Sequence, residues 1–165
     1  MAEAPRAAIL TISSSRAAGS EDEDLSGEGL AAFAAGIGAE VVARDLIADD
    51  RDLIADHLRY LCDEVGCELL LTTGGTGFAA DDLTPEATMD VAERGAPGIA
   101  EAMRLAAREH TPHWMLSRNV AAIRGGTLII NFPGNPKAIA ESGEAIAAAL
   151  PHALRLLAGG TGGHR

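Results

Sequence analysis

Short apolar runs alternate along this chain with stretches in which apolar residues recur at helical spacing. Residues 7–12, 68–71 and 127–132 are nearly free of charge, as strands buried on both faces of a parallel sheet must be. Residues 40–46 read as a further strand. Between them, Ser26 caps a predicted helix over 26–35 that Gly36 and Gly38 end. A second helix starts at Asp49 or Asp50 and carries Ile54, Leu58, Leu61 and Val65, an i, i+4, i+7, i+11 stripe closed by Gly66. Thr84 caps and Pro85 opens a helix to about Arg94, and a further helix covers about 99–109. Arg124-Gly125-Gly126 separates apolar 120–123 from 127–132, which predicts a hairpin and hence one antiparallel strand. Asn135 caps and Pro136 opens a helix to about Leu150, and residues 151–157 form the last one.

This order predicts a single three-layer α/β/α domain over residues 1–158, with a doubly wound, mostly parallel sheet. A flexible glycine-rich tail follows over 159–165. Ligands of such sheets bind beyond the carboxyl ends of the strands. Four loops then share one rim: residues 13–24, 48–50, 73–84 and 133–135.

The third of these loops carries the most chemistry. Leu-Leu-Leu-Thr-Thr-Gly-Gly-Thr-Gly-Phe at 69–78 runs from a strand into a glycine loop, and Asp81 and Asp82 follow. Glycines there serve a tight turn or let backbone amides approach a phosphate closely. Neither a Walker A ending nor the G-x-G-x-x-G spacing is present. What favours a ligand over a mere turn is the pair of carboxylates, which can hold a cation beside phosphates, together with the helix start after them.

Composition narrows the setting. The 165 residues are 47% apolar but only 3% aromatic, so Ala, Leu, Ile and Val must fill one core. The net charge of −11 excludes a basic nucleic-acid footprint. It leaves room for an anionic ligand only where amides, a helix dipole or a divalent cation receive it. No apolar run approaches the ~20 residues that span a bilayer. The first residues lack a signal-peptide pattern, so the expectation is a cytoplasmic protein without membrane contact. Cys62 and Cys67 read as two buried thiols, there being no Cys-x-x-Cys for zinc.

Taken together, the motifs resemble the MoaB/Mog family of molybdenum-cofactor biosynthesis. They are Thr-Gly-Gly-Thr-Gly at 73–77 with Asp82-x-Thr-Pro-Glu86, Leu-Ser-Arg at 116–118, Ile-Arg-Gly at 123–125 and Leu-Ile-Ile-Asn-Phe-Pro-Gly-Asn-Pro at 128–136. Asp24-x-Ser26-Gly27 and Leu-Ile-Ala-Asp-Asp at 46–50 fit as well. The resemblance implies a molybdopterin adenylyltransferase, which moves AMP from Mg-ATP to molybdopterin and releases pyrophosphate. The other activity it implies is a family member that binds molybdopterin without adenylylating it. It further implies a homotrimer, or a hexamer of two trimers.

By the same resemblance, Asp49 and Asp82 are the paired aspartates that organise Mg²⁺ and the reacting phosphates, Asp49 reading equally as a helix cap. Thr76 and the amides of Gly74, Gly75 and Gly77 would cradle phosphate. Ser117 matches a serine of the pterin site, and its alternative is a turn hydroxyl. Arg118 either holds the substrate phosphate or pairs with a neighbouring acid. Pro133, Gly134 and Asn135, with Lys137 behind them, are nucleotide or pterin contacts. Two places depart from the pattern: Asp81 stands where the family usually has arginine, and Ser13-Ser14-Ser15-Arg16 stands where relatives often have Ser-Asp.

Overall fold

The computed structural model describes residues 2–20 and 23–160. Its elements in order are β1 (Arg6–Ile12), α1 (Ser14–Ala17), α2 (Leu25–Gly36), β2 (Glu40–Ile47), α3 (Arg51–Arg59), β3 (Leu69–Thr73), α4 (Thr84–Val91), β4 (Arg94–Gly95), α5 (Pro97–Ala107), β5 (Ala121–Arg124), β6 (Thr127–Phe132), α6 (Pro136–Ile146) and α7 (Leu150–Leu157). One six-stranded sheet has the order β2-β1-β3-β6-β5-β4. β1, β2, β3 and β6 are parallel, whereas β5 runs against both of its neighbours.

Alternating side chains divide the core into two layers, one on each face of the sheet. Ile9, Leu69, Leu71, Leu128 and Ile130 pack under α2, α5, α6 and α7. Leu10, Leu70 and Ile129 point the other way, toward Ile54, Leu58 and Leu61 of the α3 segment and Val91 of α4. The predicted stripe on α3 is therefore the face it buries, but the helix is not regular. After Arg59 it widens into a π-helical turn (Tyr60–Val65) that ends at Gly66 in the left-handed region, φ 69°. That wider turn lets adjacent Leu61 and Cys62 both face the core. Cys62 and Cys67 are buried free thiols.

Several boundaries differ from the pattern reading. α4 stops at Val91, because Arg94 and Gly95 pair with Ile123 and Ala122 as a two-residue edge strand too short to leave a period. The single helix expected over 136–150 is two, with the break after Ile146 and Leu150 starting α7. Polar residues 14–17 form α1, although residues 13–24 read as loop. Two caps also move by position. Asp24, not Ser26, caps α2 by accepting from the Gly27 amide. The N-cap of α4 is Leu83, and Thr84 already lies inside the helix. Glu21 and Asp22 of the expected acidic loop, and residues 161–165 of the expected tail, lie outside the described residues.

A polar thread crosses this apolar interior. Asn131 on β6 is fully buried. Its Nδ2 donates to Thr72 Oγ1 (3.1 Å) and Thr88 Oγ1 (3.0 Å), and its Oδ1 accepts from the Val120 amide (3.2 Å). These bonds fix α4 and the start of β5 against the sheet centre. Asn131→Ala leaves the half-buried Val120 amide and the buried Thr72 hydroxyl without this partner, and should lower the unfolding free energy by about 2 kcal/mol in urea denaturation.

Candidate functional site

β1 leads through α2 to β2 on one side of the sheet, and α3 brings the chain back to β3 on the other side. The crossovers thus diverge between β1 and β3, which opens a crevice at the carboxyl ends of those strands. The glycine loop after β3 lies in this crevice. Gly74 has φ 98°, and a Cβ there would collide with the Ile12 carbonyl oxygen at the end of β1. Gly75 has φ 68°, and its Cβ would collide with Thr84 Oγ1 and stand 3.3 Å from Asp49 Oδ1. Both positions accept glycine alone, for backbone conformation and for space.

Three side chains hold the loop down. Thr84 Oγ1 donates to the Gly74 carbonyl (2.9 Å), so this hydroxyl ties the loop to the helix instead of capping it. Thr73 Oγ1 donates to the Pro133 carbonyl (2.7 Å). Arg118 donates from Nε to the Gly77 carbonyl (2.7 Å) and from Nη2 to the Asp82 carbonyl (2.5 Å), and forms an ion pair with Glu86. Its backbone amide also donates to the Thr76 carbonyl (2.9 Å). Of the two roles open to Arg118, pairing with an acid describes its contacts: the guanidinium is a strut of the loop. The bond to Arg118 holds the Glu86 carboxyl below the ordinary carboxylate range, and Glu86 in turn raises Arg118.

The two aspartates flank this loop. Asp49 follows β2, and its Oδ2 accepts from both the amide (2.9 Å) and the hydroxyl (3.0 Å) of Ser14. Ser14 Oγ accepts the Asp49 amide in return, at 2.9 Å. Asp50 takes the capping role, accepting from the Leu53 amide (2.8 Å), which leaves Asp49 Oδ1 facing Gly75. Asp82 Oδ2 accepts from the Ala79 amide (2.9 Å) and lies 2.8 Å from where a Gly77 Cβ would stand. Both acids therefore lie against one loop, at glycines two residues apart. Each has its Oδ1 without a hydrogen-bond partner among the described residues. Hard oxygen donors of this kind suit Mg²⁺, which takes one or two carboxylates and completes its shell with water and phosphate. Asp81 is exposed beside them.

The remaining predicted residues border a second recess. Ser117 and Pro133 line a cavity of about 130 Å³ between α5, α6 and the 3-10 turn Trp114–Leu116, together with Met103, Arg104, Trp114 and Asn119. Ser117 Oγ bonds to Asn119 Oδ1 at 3.1 Å. Gly134 packs on Gly74, and its carbonyl accepts from Ser26 Oγ (2.6 Å), which accounts for the serine of the Asp24-x-Ser26-Gly27 motif. Asn135 caps α6 by accepting from the Lys137 amide (2.9 Å). Gly134, Asn135 and Lys137 are exposed at the rim, while Thr76 is buried beneath it.

The fold agrees with that of known proteins. A family model described as "probable molybdopterin binding domain" matches residues 8–152. The chain belongs to this molybdopterin-binding domain family. The molybdopterin biosynthesis enzyme MoaB of Thermus thermophilus is 45% identical, with a TM-score of 0.87 over 94% of this chain and 97% of that one. The Mog protein of Mycobacterium ulcerans, named for molybdopterin biosynthesis, is 34% identical, with a TM-score of 0.84 over 95% and 99%. A Helicobacter pylori protein named molybdopterin adenylyltransferase is 47% identical over 115 residues, or 70% of this chain. The match takes in 65% of that relative's length.

Sequence reasoning passed over Ser14, Thr84 as a loop tie, Asn119 and Arg104. Ser14 carried a signal, standing just past a strand end at the predicted rim. Arg104 carried none, since an arginine in a helix reads as a solvated cation. Because the folded pKa of Glu86 is depressed, its contribution is present above the ordinary carboxylate value and lost as pH falls through the lower folded one. The stability difference between wild type and Glu86→Gln should be full near neutrality and should shrink only as pH falls through the acid range below the ordinary carboxylate value, as read in thermal melts.

Proposed function

We propose that this chain is a molybdopterin adenylyltransferase that transfers AMP from Mg-ATP to molybdopterin. The observation that carries the reading is the convergence of Asp49 and Asp82 on one amide-rich loop, beside a recess bearing Ser117. The relatives' names agree with it. In this reaction a phosphate oxygen of molybdopterin attacks the α-phosphorus of ATP; the new P–O bond forms as the bond to pyrophosphate breaks. The protein's task is positioning and charge neutralisation.

On this reading the amides of Gly74, Gly75 and Gly77, with Thr76, receive the nucleotide phosphates. Ser117 and the loop 133–135 receive the pterin. Asp49 and Asp82 would hold Mg²⁺, which neutralises phosphate charge when bound. Ser14 orients Asp49 and the Ala79 amide orients Asp82, so each carboxylate keeps one face fixed and offers the other. Arg118 keeps the loop in shape without being drawn to the substrate's charge. Asp81 adds an anion at the rim, which makes a bound cation more necessary for a polyanionic substrate pair. The same reading includes the domain limits 1–158, a homotrimer or hexamer, and a cytoplasmic setting. No helix among the described residues is long and apolar enough to cross a membrane.

Asp82→Asn tests it. The amide oxygen can still accept from Ala79, so the turn should persist, but the charge is lost. Molybdopterin-dependent pyrophosphate release from Mg-ATP should fall by at least about a hundredfold, with circular dichroism unchanged. A variant that turns over like wild type removes Asp82 from the reaction. Pterin binding by the wild-type protein without any pyrophosphate release selects the non-catalytic binding role.

A further inference from the structure

We propose that Arg104, held in place by Asn119, presents a donor edge to the cavity beside Ser117, and that this edge selects a pterin by its ring oxo group. The inference rests on the functional reading above and deepens it, by naming what distinguishes the pterin from the adenine of the other substrate.

Arg104 lies in the last turn of α5, half-buried in the cavity wall. Its Nη1 donates to Asn119 twice, to the backbone carbonyl (2.8 Å) and to Oδ1 (2.7 Å). Asn119 is itself immobilised: it is 3% exposed, and its Nδ2 bonds to the Asn131 carbonyl (3.4 Å) and Met103 Sδ (3.6 Å). The guanidinium is therefore pinned on one side by a buried amide. Its Nε and Nη2 have no hydrogen-bond partner among the described residues.

Arg44, Arg51, Arg59, Arg118 and Arg124 each pair with a carboxylate. Of the described arginines with no acid within ion-pair distance, Arg16 and Arg104 are half-buried, and Arg104 is the one that lines this cavity. The chain has 24 acidic residues against 13 basic ones, so a half-buried arginine without an acid is not a consequence of scarcity. Met103, Trp114 and Pro133 give the recess apolar walls, beside which the free Nε and Nη2 of Arg104 remain open to an acceptor.

Size and donor pattern restrict that acceptor. At about 130 Å³ the cavity is close to the ~150 Å³ that admits a benzene ring, so it takes one six-membered ring with the rest of the ligand outside. A guanidinium only donates. It can bond the oxo group of a pterin's pyrimidine ring, but an amino group at the same place, as on adenine, meets donor with donor. Ser117 Oγ, which is bonded to Asn119 at the same wall, keeps lone pairs for a ring N–H.

Trp114 is the chain's only tryptophan and lines this cavity, so its fluorescence reports occupancy directly. The full chain is titrated with hydroxymethylpterin and with the diaminopteridine in which an amino group replaces the oxo. The oxo compound should bind about tenfold more tightly, the range of one charge-assisted hydrogen bond. Arg104→Lys retains a donor for the Asn119 carbonyl but lacks the second edge. It should lose about tenfold in pterin affinity and leave the diamino compound and Mg-ATP binding unchanged. Arg104→Met should abolish the preference. If it does not fold, the lysine variant and the two wild-type titrations still decide. Equal binding of the two compounds by wild type, or an unaltered pterin affinity in Arg104→Lys, overturns the assignment while leaving pterin binding in place. No Trp114 response to either compound overturns this inference and the pterin half of the functional reading together.

Discussion

The constraint that shapes the candidate site is the approach of Gly74 to the Ile12 carbonyl. Two parallel strands that end side by side would ordinarily send their loops apart, because side chains keep the backbones separate. Here one loop bends across the end of the neighbouring strand, and nothing larger than hydrogen fits between them. The bend aims the next residues at the crevice where the crossovers diverge. Thr84, Thr73 and Arg118 then fasten the loop to the following helix, to the 133–134 segment and to the segment around Ser117. The two recesses of the candidate site share one wall for this reason.

An acidic protein that handles phosphate must solve a charge problem locally. On the proposed reading it does so without giving arginine to the phosphates. Arg118 is committed to Glu86 and two loop carbonyls, which leaves amide dipoles and a cation held by Asp49 and Asp82 as the neutralising groups. Amides fixed in a rigid loop need no reorganisation as charge develops, whereas a flexible cation would. The rigidity of the loop is thus part of the chemistry as well as of the fold.

Much of this was legible in the chain itself. Runs such as Leu69–Thr73 and Thr127–Phe132 announce buried strands because both faces are covered, and the α3 stripe announces the layer beneath them. The glycine loop was legible as the break after a buried strand, with Asp82 close behind it in the chain. Local ambiguity hid the rest. Asp49 and Asp50 are adjacent and chemically identical, and only the path of α3 shows which one caps. Ser26 and Thr84 look like caps, yet their hydroxyls reach across 108 and 10 residues to other loops. Arg94 and Gly95 form a strand only because β5 lies beside them.

The polar thread has a bearing on how such a loop could be moved between proteins. From Asn131 through Thr88 to the Thr84 carbonyl, and from the Thr84 hydroxyl to Gly74, hydrogen bonds run without interruption from the sheet centre to the loop. The glycine segment is consequently no detachable cassette. Transplanting it onto a foreign scaffold would require the helix behind it, the strut arginine and the asparagine of the central strand to travel as one block.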